Sequence, residues 1–413
     1  MNPVNPPNPV NLANPVNPPN PVNPVNPVNP VNQLEFCPLA VSELAAKVQW
    51  AHGQGLTVGV GRTSPNVANV ILSLKHLTRP IDHCAGDLVA TVAAGASLAD
   101  VNAILSRGGQ WLPLDPPGPD RSTIGKIVAA NDSGPRRHRY GTPRDLILGI
   151  EMVLADGRIA KAGGRVVKNV AGYDLARLMC GSFGSLAIIT SATFKLSPVP
   201  AASRTVIVES PDASSLGELA RAIASAPLTP SAIELESPPP RLLIRFETTA
   251  RAADRQAAAA GELCAGHRAA FTIVGDEAER DAWRAYEARI WGGPGTLLKV
   301  AVLPTEVSRL IDDLARAAHA HGVDWSAGGR AALGVLYFRL TNSGDHHAMI
   351  AADLRRRARA RDGSLVIMST DAVAGSDVDR WGDIGDGLPL MRAVKARFDP
   401  KGILNPGAGP GGL

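Results

Sequence analysis

Between Gly163 and Thr190 the chain reads GGRVVKNVAGYDLARLMCGSFGSLAIIT, and three devices for shaping backbone around a ligand fall inside it. Gly163 and Gly164 open the stretch. Lys168, Asn169 and Tyr173 then supply polar groups around a compact turn at Ala171-Gly172. Gly184 lets the chain pass close to something flat or charged before Leu186 to Thr190 enters a β-branched strand. Leu175, Leu178 and Met179 recur at helical spacing behind Asp174, which is placed as an N-cap, and Gly181 stands where a left-handed residue ends a short helix. Glycines at this density also serve as plain turns, and spacing alone leaves both readings open. A second candidate group is Arg136-Arg137-His138-Arg139. Four cationic or titratable side chains in a row are normally a solvated loop, yet beside a ligand they could hold an anion. The four cysteines, Cys37, Cys84, Cys180 and Cys264, are widely scattered; that spacing excludes a CxxC metal or cluster motif and gives no disulfide framework.

The elements that must position these groups follow from periodicity. Ser42 is the expected cap of a helix in which Leu44, Val48 and Ala51 share a face, followed by a strand at Leu56 to Val60 and a Gly-rich turn, Gly59 to Asn66. Leu88 to Val92 reads as a strand, and Ser97 caps a helix with Leu98, Val101 and Leu105 on its apolar face. Asp145 to Leu154 and Arg158 to Lys161 read as strands joined at Ala155-Asp156-Gly157. From residue 201 strands alternate with alanine-rich helices, one of them capped by Thr305 with Val307, Leu310, Ile311 and Leu314 on one face. This predicts an α+β layer of helices over a mostly antiparallel sheet.

With 413 residues, 45% of them hydrophobic, the chain can bury a sizeable core, and two domains are the natural expectation. A net charge of +4 with 4% aromatic residues does not demand a nucleic-acid partner, and the basic run Arg355 to Arg361 reads as a solvated helix face. No apolar run approaches the ~20 residues that cross a bilayer. Residues 2 to 32 repeat Asn-Pro-Val or Asn-Pro-Pro almost without interruption. Proline removes backbone donors and valine alone gives nothing to bury, so a disordered tail is expected; without a basic n-region or apolar h-region it is no secretory signal.

The opening stretch, together with LPLDPPGPDRSTIGKIVAANDSGPRRHRYGTPRDLILGIEMVLADG (112 to 157) and FDPKGILNPG (398 to 407), resembles flavin-dependent oxidases with the vanillyl-alcohol-oxidase (PCMH) type of FAD domain, and most closely the glycolate oxidase E-type subunit. The resemblance covers most of the chain beyond residue 37. It implies an α+β fold with a two-part PCMH-type FAD-binding domain at 38–200, an α+β cap domain with a mostly antiparallel sheet at 201–370, and a C-terminal segment, 371–413, returning to the FAD domain behind the low-complexity tail of 1–37.

The resemblance also implies FAD contacts. Gly59, Gly61 and Thr63 belong to a first loop that offers amides to the pyrophosphate. Ser122, Thr123 and Gly125 belong to a second, in which Lys126 replaces the glycine usual in the family. Asn131, Ser133 and Gly134 match the element beside the isoalloxazine, while Gly184, Ile189 and Asn405 complete the set. No catalytic residue is fixed by the resemblance, and Lys168, Tyr173 and Arg137 are the catalytic candidates. No histidine lies between Gly59 and Asn66, so non-covalent flavin is expected. No metal is expected either, because the HxGDGNxH motif of relatives that oxidise D-2-hydroxy acids is absent; Gly344-Asp345-His346-His347 is the nearest string and reads as a loop with an N-cap at Asp345.

Three functions stay open at this point. The first is a flavin subunit of a glycolate-oxidase-like complex that oxidises a small 2-hydroxy acid such as glycolate. It would work beside a D-type flavin subunit and pass electrons to an F-type iron–sulfur subunit, in the cytoplasm or at the inner face of the membrane through partners. The second is a catalytically silent scaffold subunit with weakened FAD binding, which the reduced Gly59 to Asn66 loop and Lys126 favour. The third, a reductase of the UDP-N-acetylenolpyruvylglucosamine type, is opposed by the KNVAGYDLARL and LNPG strings.

Overall fold

Short β-branched runs bounded by glycine, alternating with amphipathic helices, set up three larger sheets and a two-stranded antiparallel pair, Gln110–Trp111 with Ser197–Pro198, in the computed structural model, which describes residues 33–61, 68–118, 122–166, 172–370 and 379–413. The Asn/Pro/Val repeat, Thr63, Lys168 and Asn169 lie outside the described residues. The first sheet is small and parallel, with Leu34–Phe36 and Val58–Val60 flanking Val70–Leu72. Helix Val41–Gln54 buries Leu44, Val48 and Ala51, the face expected from their spacing. Its N-cap is Ala40 without a side-chain bond rather than Ser42, because the Glu43 carboxylate reaches back to accept the Leu39 N–H at 2.9 Å.

The second sheet has five antiparallel strands in the order Asp82–Cys84, Val89–Ala93, Ile188–Lys195, Ile147–Val153, Ile159–Gly163. The strand expected from Asp145 begins only at Ile147. Pro143 opens a helical turn, Pro143–Leu146, and the Asp145 carboxylate accepts both the Thr142 N–H at 2.7 Å and its hydroxyl at 2.8 Å. This local capping outweighs β-propensity at Asp145.

The third sheet has eight strands, every neighbouring pair antiparallel, running from Ala270–Val274 at one edge through Ala202–Glu209, Arg241–Thr248, Ala232–Ser237, Asp324–Arg330, Val335–Thr341 and Thr296–Ala301 to Ser364–Ser369. One face, carrying Val206, Ile233, Leu235, Ile244, Phe246, Leu336 and Phe338, forms the largest core with four helices. Among them Val307–Ala320 buries Val307, Leu310, Ile311 and Leu314. That helix starts after a tight turn, Pro304–Glu306, so Thr305 lies inside the turn and does not cap it. Asp345 likewise sits within a tight turn, Gly344–His346, ahead of helix His347–Arg359. The other face turns toward the first half of the chain and carries charge as well as the smaller cluster around Trp283, Tyr286 and Tyr337.

The end of the chain comes back to the first sheet, where Leu404 makes a parallel bridge with Val58. Helix Gly387–Phe398 delivers Lys395 into the interior. Its Nζ donates to the Ser185 and Leu404 carbonyls at 2.7 and 3.0 Å and to the Asp399 carboxylate at 2.6 Å. Asp399 in turn accepts the Ile403 and Leu404 N–H groups at 3.1 and 2.8 Å. Burial lowers the Lys395 pKa, opposed by Asp399. Removing one partner of a buried pair strands the other. Asp399→Ala is therefore expected to cost about 3–5 kcal/mol in urea unfolding. Lys395→Met leaves Asp399 on its two amides and should cost less; equal losses would contradict the asymmetry.

Candidate functional site

Thr123 starts the helix Ile124–Ala130, its Oγ1 accepting the Lys126 N–H at 3.4 Å. The helix ends at Asn131 with φ 49°, a conformation asparagine tolerates because its short amide bonds locally. Here the Asn131 Oδ1 accepts the Arg144 N–H at 3.1 Å. The stretch opened by Gly163 runs back across this last turn, with the Gly181 N–H donated to the Val128 carbonyl at 3.1 Å and the Phe183 N–H to Ala129 at 2.8 Å. Met179, Cys180 and Leu186 share one core with Ile124, Ile127 and Val128. Segments 113–141 and 163–190 thus meet.

Asn405 fastens the first strand to both. Its Oδ1 accepts the Val60 N–H at 2.9 Å, its Nδ2 donates to the Phe183 carbonyl at 2.8 Å, and its own N–H bonds Val58 at 2.7 Å. Gly184 must be glycine at this crossing, since a Cβ there would lie 2.4 Å from the Asn405 Nδ2 at φ 69°. The chain also fills the Cβ position of other expected ligand-approach glycines. A Cβ on Gly134 would stand 1.6 Å from the Asp115 carbonyl, one on Gly125 2.9 Å from Ala94, and one on Gly59 3.0 Å from Ile71. Gly61 and Gly118 differ: both have positive φ, and among the described residues a Cβ on either meets nothing within 4 Å. The Ser122 hydroxyl donates to the Gly118 carbonyl at 3.1 Å. Ile189 is buried in the second sheet opposite Met152. Tyr173 is 92% exposed.

The four-residue basic run divides. Arg136 is consumed by the fold: its guanidinium grips the Glu247 carboxylate at 2.8–3.1 Å, and its N–H bonds Asp115 at 2.9 Å. Arg139 donates to the Glu247 carbonyl at 3.0 Å. Arg137 is half-buried, and burial lowers its pKa. His138 is also half-buried, with an Nδ1 that has no hydrogen-bond partner among the described residues, and burial lowers its pKa.

Sequence reasoning missed the groups on the cap sheet that close this seam. Arg330, 0% exposed, donates to the Ser133 carbonyl at 2.6 Å, the Gly134 carbonyl at 3.2 Å and the Tyr337 hydroxyl at 3.0 Å, and stands 3.5 Å from the Glu234 carboxylate. The Glu234 carboxylate also accepts the Tyr286 hydroxyl. Desolvation pushes the Glu234 pKa up to about 7 and that of Asp115 up to about 6. Arg245 lies over the Trp283 ring at 3.7 Å, and burial lowers its pKa to about 10. A Gly-Gly-Arg string on a strand carries no signal by itself that the arginine is buried.

The arrangement suits a dinucleotide with a flat ring. Among the described residues nothing fills the space beside the two left-handed glycines, and the Ser182 hydroxyl, in the crossing stretch between Gly181 and Phe183, is buried without a hydrogen-bond partner. Buried hydroxyls of this kind are expected to find one. FAD therefore fits the described residues. Among those residues no group of three or more His, Cys, Asp and Glu is placed to hold a metal ion, and no helix is long and apolar enough to cross a membrane.

Known proteins carry the same two parts. Residues 36–163 match the FAD binding domain, and residues 236–370 with 384–408 match the C-terminal domain of FAD linked oxidases. The chain is a FAD-linked oxidoreductase with a PCMH-type FAD domain, and its cofactor is FAD. It is 27% identical to glycolate oxidase subunit GlcD of Bacillus subtilis over 84% of this chain and 80% of that protein. It is 26% identical to a probable mitochondrial D-lactate dehydrogenase of Danio rerio over 90% and 82%. Against glycolate oxidase subunit GlcE of Escherichia coli it is 43% identical, over 28% of this chain and 34% of that one. Alkyldihydroxyacetonephosphate synthase has the same fold, with a TM-score of 0.70 at 17% identity over 92% of this chain and 77% of that one. Both D-type and E-type subunits are thus among the relatives, so the E-type in particular is not singled out.

The seam gives stability an unusual pH dependence. A carboxyl whose folded pKa lies above its unfolded value binds its proton more tightly in the native state. Its contribution is greatest below pH 4–5 and is lost as pH rises through 6 for Asp115 and 7 for Glu234. Glu234→Gln is expected to flatten this fall between pH 5 and 8 by on the order of 2 kcal/mol, read by urea unfolding at each pH. A parallel pair of curves would refute the assignment.

Proposed function

We propose that this chain is the FAD-binding subunit of a glycolate-oxidase-like complex that oxidises a small 2-hydroxy acid such as glycolate and passes the electrons to a partner iron–sulfur subunit. What carries the reading is the meeting of segments 113–141 and 163–190 at Val128–Gly181 and Ala129–Phe183, against a cap face that presents cationic groups. Relatives named glycolate oxidase subunits, D-lactate dehydrogenases and D-2-hydroxyglutarate dehydrogenase support a CH–OH substrate. The E-type likeness, a D-type flavin subunit beside it and an inner-face location through partners belong to this proposal. So does a division into the low-complexity tail 1–37, a flavin domain 38–200, a cap 201–370 and a returning segment 371–413.

FAD, when bound, would supply the two-electron acceptor for the hydride leaving the carbinol carbon. Main-chain groups of Gly59, Gly61, Thr63, Gly125, Gly134 and Ile189, with the side chains of Ser122, Thr123, Asn131 and Ser133, hold it without a covalent link. Asn405 and Gly184 keep the first strand against the crossing stretch. His138, with a buried Nδ1 that has no hydrogen-bond partner among the described residues, is the base that takes the hydroxyl proton. Arg137, Lys168 and Tyr173 are the candidates for contact with the substrate. The cap excludes water from the reacting atoms.

A scaffold that binds FAD weakly is the second reading, favoured by one observation. Gly59, Gly125, Gly134 and Gly184 are required by contacts within the chain, so their presence does not depend on the cofactor. Purification from the native host, with flavin quantitation and dye reduction by glycolate and D-lactate, separates the two. The proposal expects near-stoichiometric FAD, released by acid precipitation, and turnover of at least one acid. Asn405→Ala should lower FAD content several-fold in a chain that still folds. A colourless, inactive complex would leave the scaffold reading standing.

A further inference from the structure

Between the edge strand Ser364–Ser369 and the returning helix Gly387–Phe398 the chain carries a single aromatic residue, Trp381. It lies between the two parts of the C-terminal domain match, 236–370 and 384–408, so the family pattern does not account for it. Its ring meets that of Phe183 edge to face, with centroids 5.0 Å apart and planes at 69°. Phe183 belongs to the crossing stretch. The connection that leaves the cap therefore touches the segment expected to run beside the dinucleotide.

This contact is braced from the cap. Arg355 and Arg359 belong to the basic run that reads in the sequence as a solvated helix face, yet both turn to this connection. The Arg355 guanidinium donates to the Leu365 carbonyl of the edge strand at 3.2 Å and to the Asp379 and Arg380 carbonyls at 2.9 and 3.1 Å. Arg359 pairs with Asp383 at 2.6 Å. The Asp379 carboxylate gathers the Trp381 and Gly382 N–H groups at 3.0 and 2.9 Å. Gly382 permits the close approach: its φ is 76°, and a Cβ would stand 2.9 Å from the Arg355 Cδ.

On the other side of the contact, Phe183 has a φ of 54°. A bulky residue keeps that conformation only where its surroundings hold it. Its N–H is donated to the Ala129 carbonyl and its own carbonyl accepts the Asn405 amide. Both backbone groups are thus spent on the fold, and the ring is what remains for Trp381 to hold. The adjoining Ser182 hydroxyl is buried with no partner among the described residues, which points to a partner supplied by a ligand.

We propose that Trp381 is a positioning residue for FAD. Closing on the Phe183 ring, it fixes the left-handed turn, and with it the Ser182 hydroxyl, where the crossing stretch meets the dinucleotide; Arg355 holds Trp381 in place. The inference rests on FAD binding by this chain and not on the substrate or the partner subunits of the proposed function.

The test strips FAD from the full chain, purified with the subunits that accompany it, and follows reloading through the fluorescence of free FAD. Trp381→Leu is expected to weaken FAD about ten-fold, the order of one aromatic contact, with the unfolding midpoint of the FAD-free chain unchanged. Trp381→Phe keeps an edge-on ring and should stay within about two-fold of the unaltered protein. Arg355→Gln should weaken FAD as Trp381→Leu does, and the double variant should lose no more than either alone. Unchanged affinity in Trp381→Leu, or equal losses in the leucine and phenylalanine variants, overturns the role of the ring. A fall in the FAD-free midpoint that matches the loss of affinity marks plain packing and overturns it too, and additive losses in the double variant overturn the link to Arg355. An unaltered chain that takes up no FAD removes the inference and its cofactor together. A chain that reloads as expected but oxidises neither glycolate nor D-lactate leaves the inference standing and removes the glycolate-oxidase reading.

Discussion

Arg330 is the strut on which the arrangement depends. Its guanidinium, fully withdrawn from water, leaves the eight-stranded sheet and ends on the carbonyls of Ser133 and Gly134, the two residues that follow the turn beside the expected flavin ring. Isolating a cation this way costs several kcal/mol, and the cost is offset only if every donor finds a partner. Each of its three nitrogens has a partner, the Gly134 carbonyl for Nε, the Ser133 carbonyl and the Tyr337 oxygen for the two terminal nitrogens, with Glu234 nearby. The geometry of the putting-together is therefore specified: a shift of the cap along the seam would strand the charge.

Around the strut the remaining charges sort by their accounts with solvent. Arg136 and Glu247 form a forked pair that binds the two halves, and Asp115 helps to orient it through the Arg136 amide. Glu234 and Asp115 are short of compensation, which is why desolvation dominates their titration.

The local parts of this structure were legible in the sequence. Leu44, Val48 and Ala51, or Val307, Leu310, Ile311 and Leu314, are repeats within one helix, and periodicity reports such faces directly. Glycine-marked turns and the Asn405 segment were legible as well, through resemblance. What stayed hidden was the pairing of Arg136 with Glu247, 111 positions apart, and of Arg330 with Ser133, 197 positions apart, because no local pattern encodes a partner at that range. Asp145 was misread for a different reason: its neighbours favour a strand, but a proline and a threonine together make it the third residue of a helical turn. The glycines held a double meaning too, since Gly134 answers to the Asp115 carbonyl as much as to any ligand.

The staple made by Asn405 has a consequence for synthesis. Val60 and Phe183 receive their shared partner only from a residue 345 positions beyond the first of them. While the ribosome is still translating the cap, the first loop and the crossing stretch have emerged but lack the amide that joins them. The early half of the chain must then wait with an unfinished groove, exposed to whatever handles nascent polypeptides, and dinucleotide capture becomes a late event in the life of the molecule.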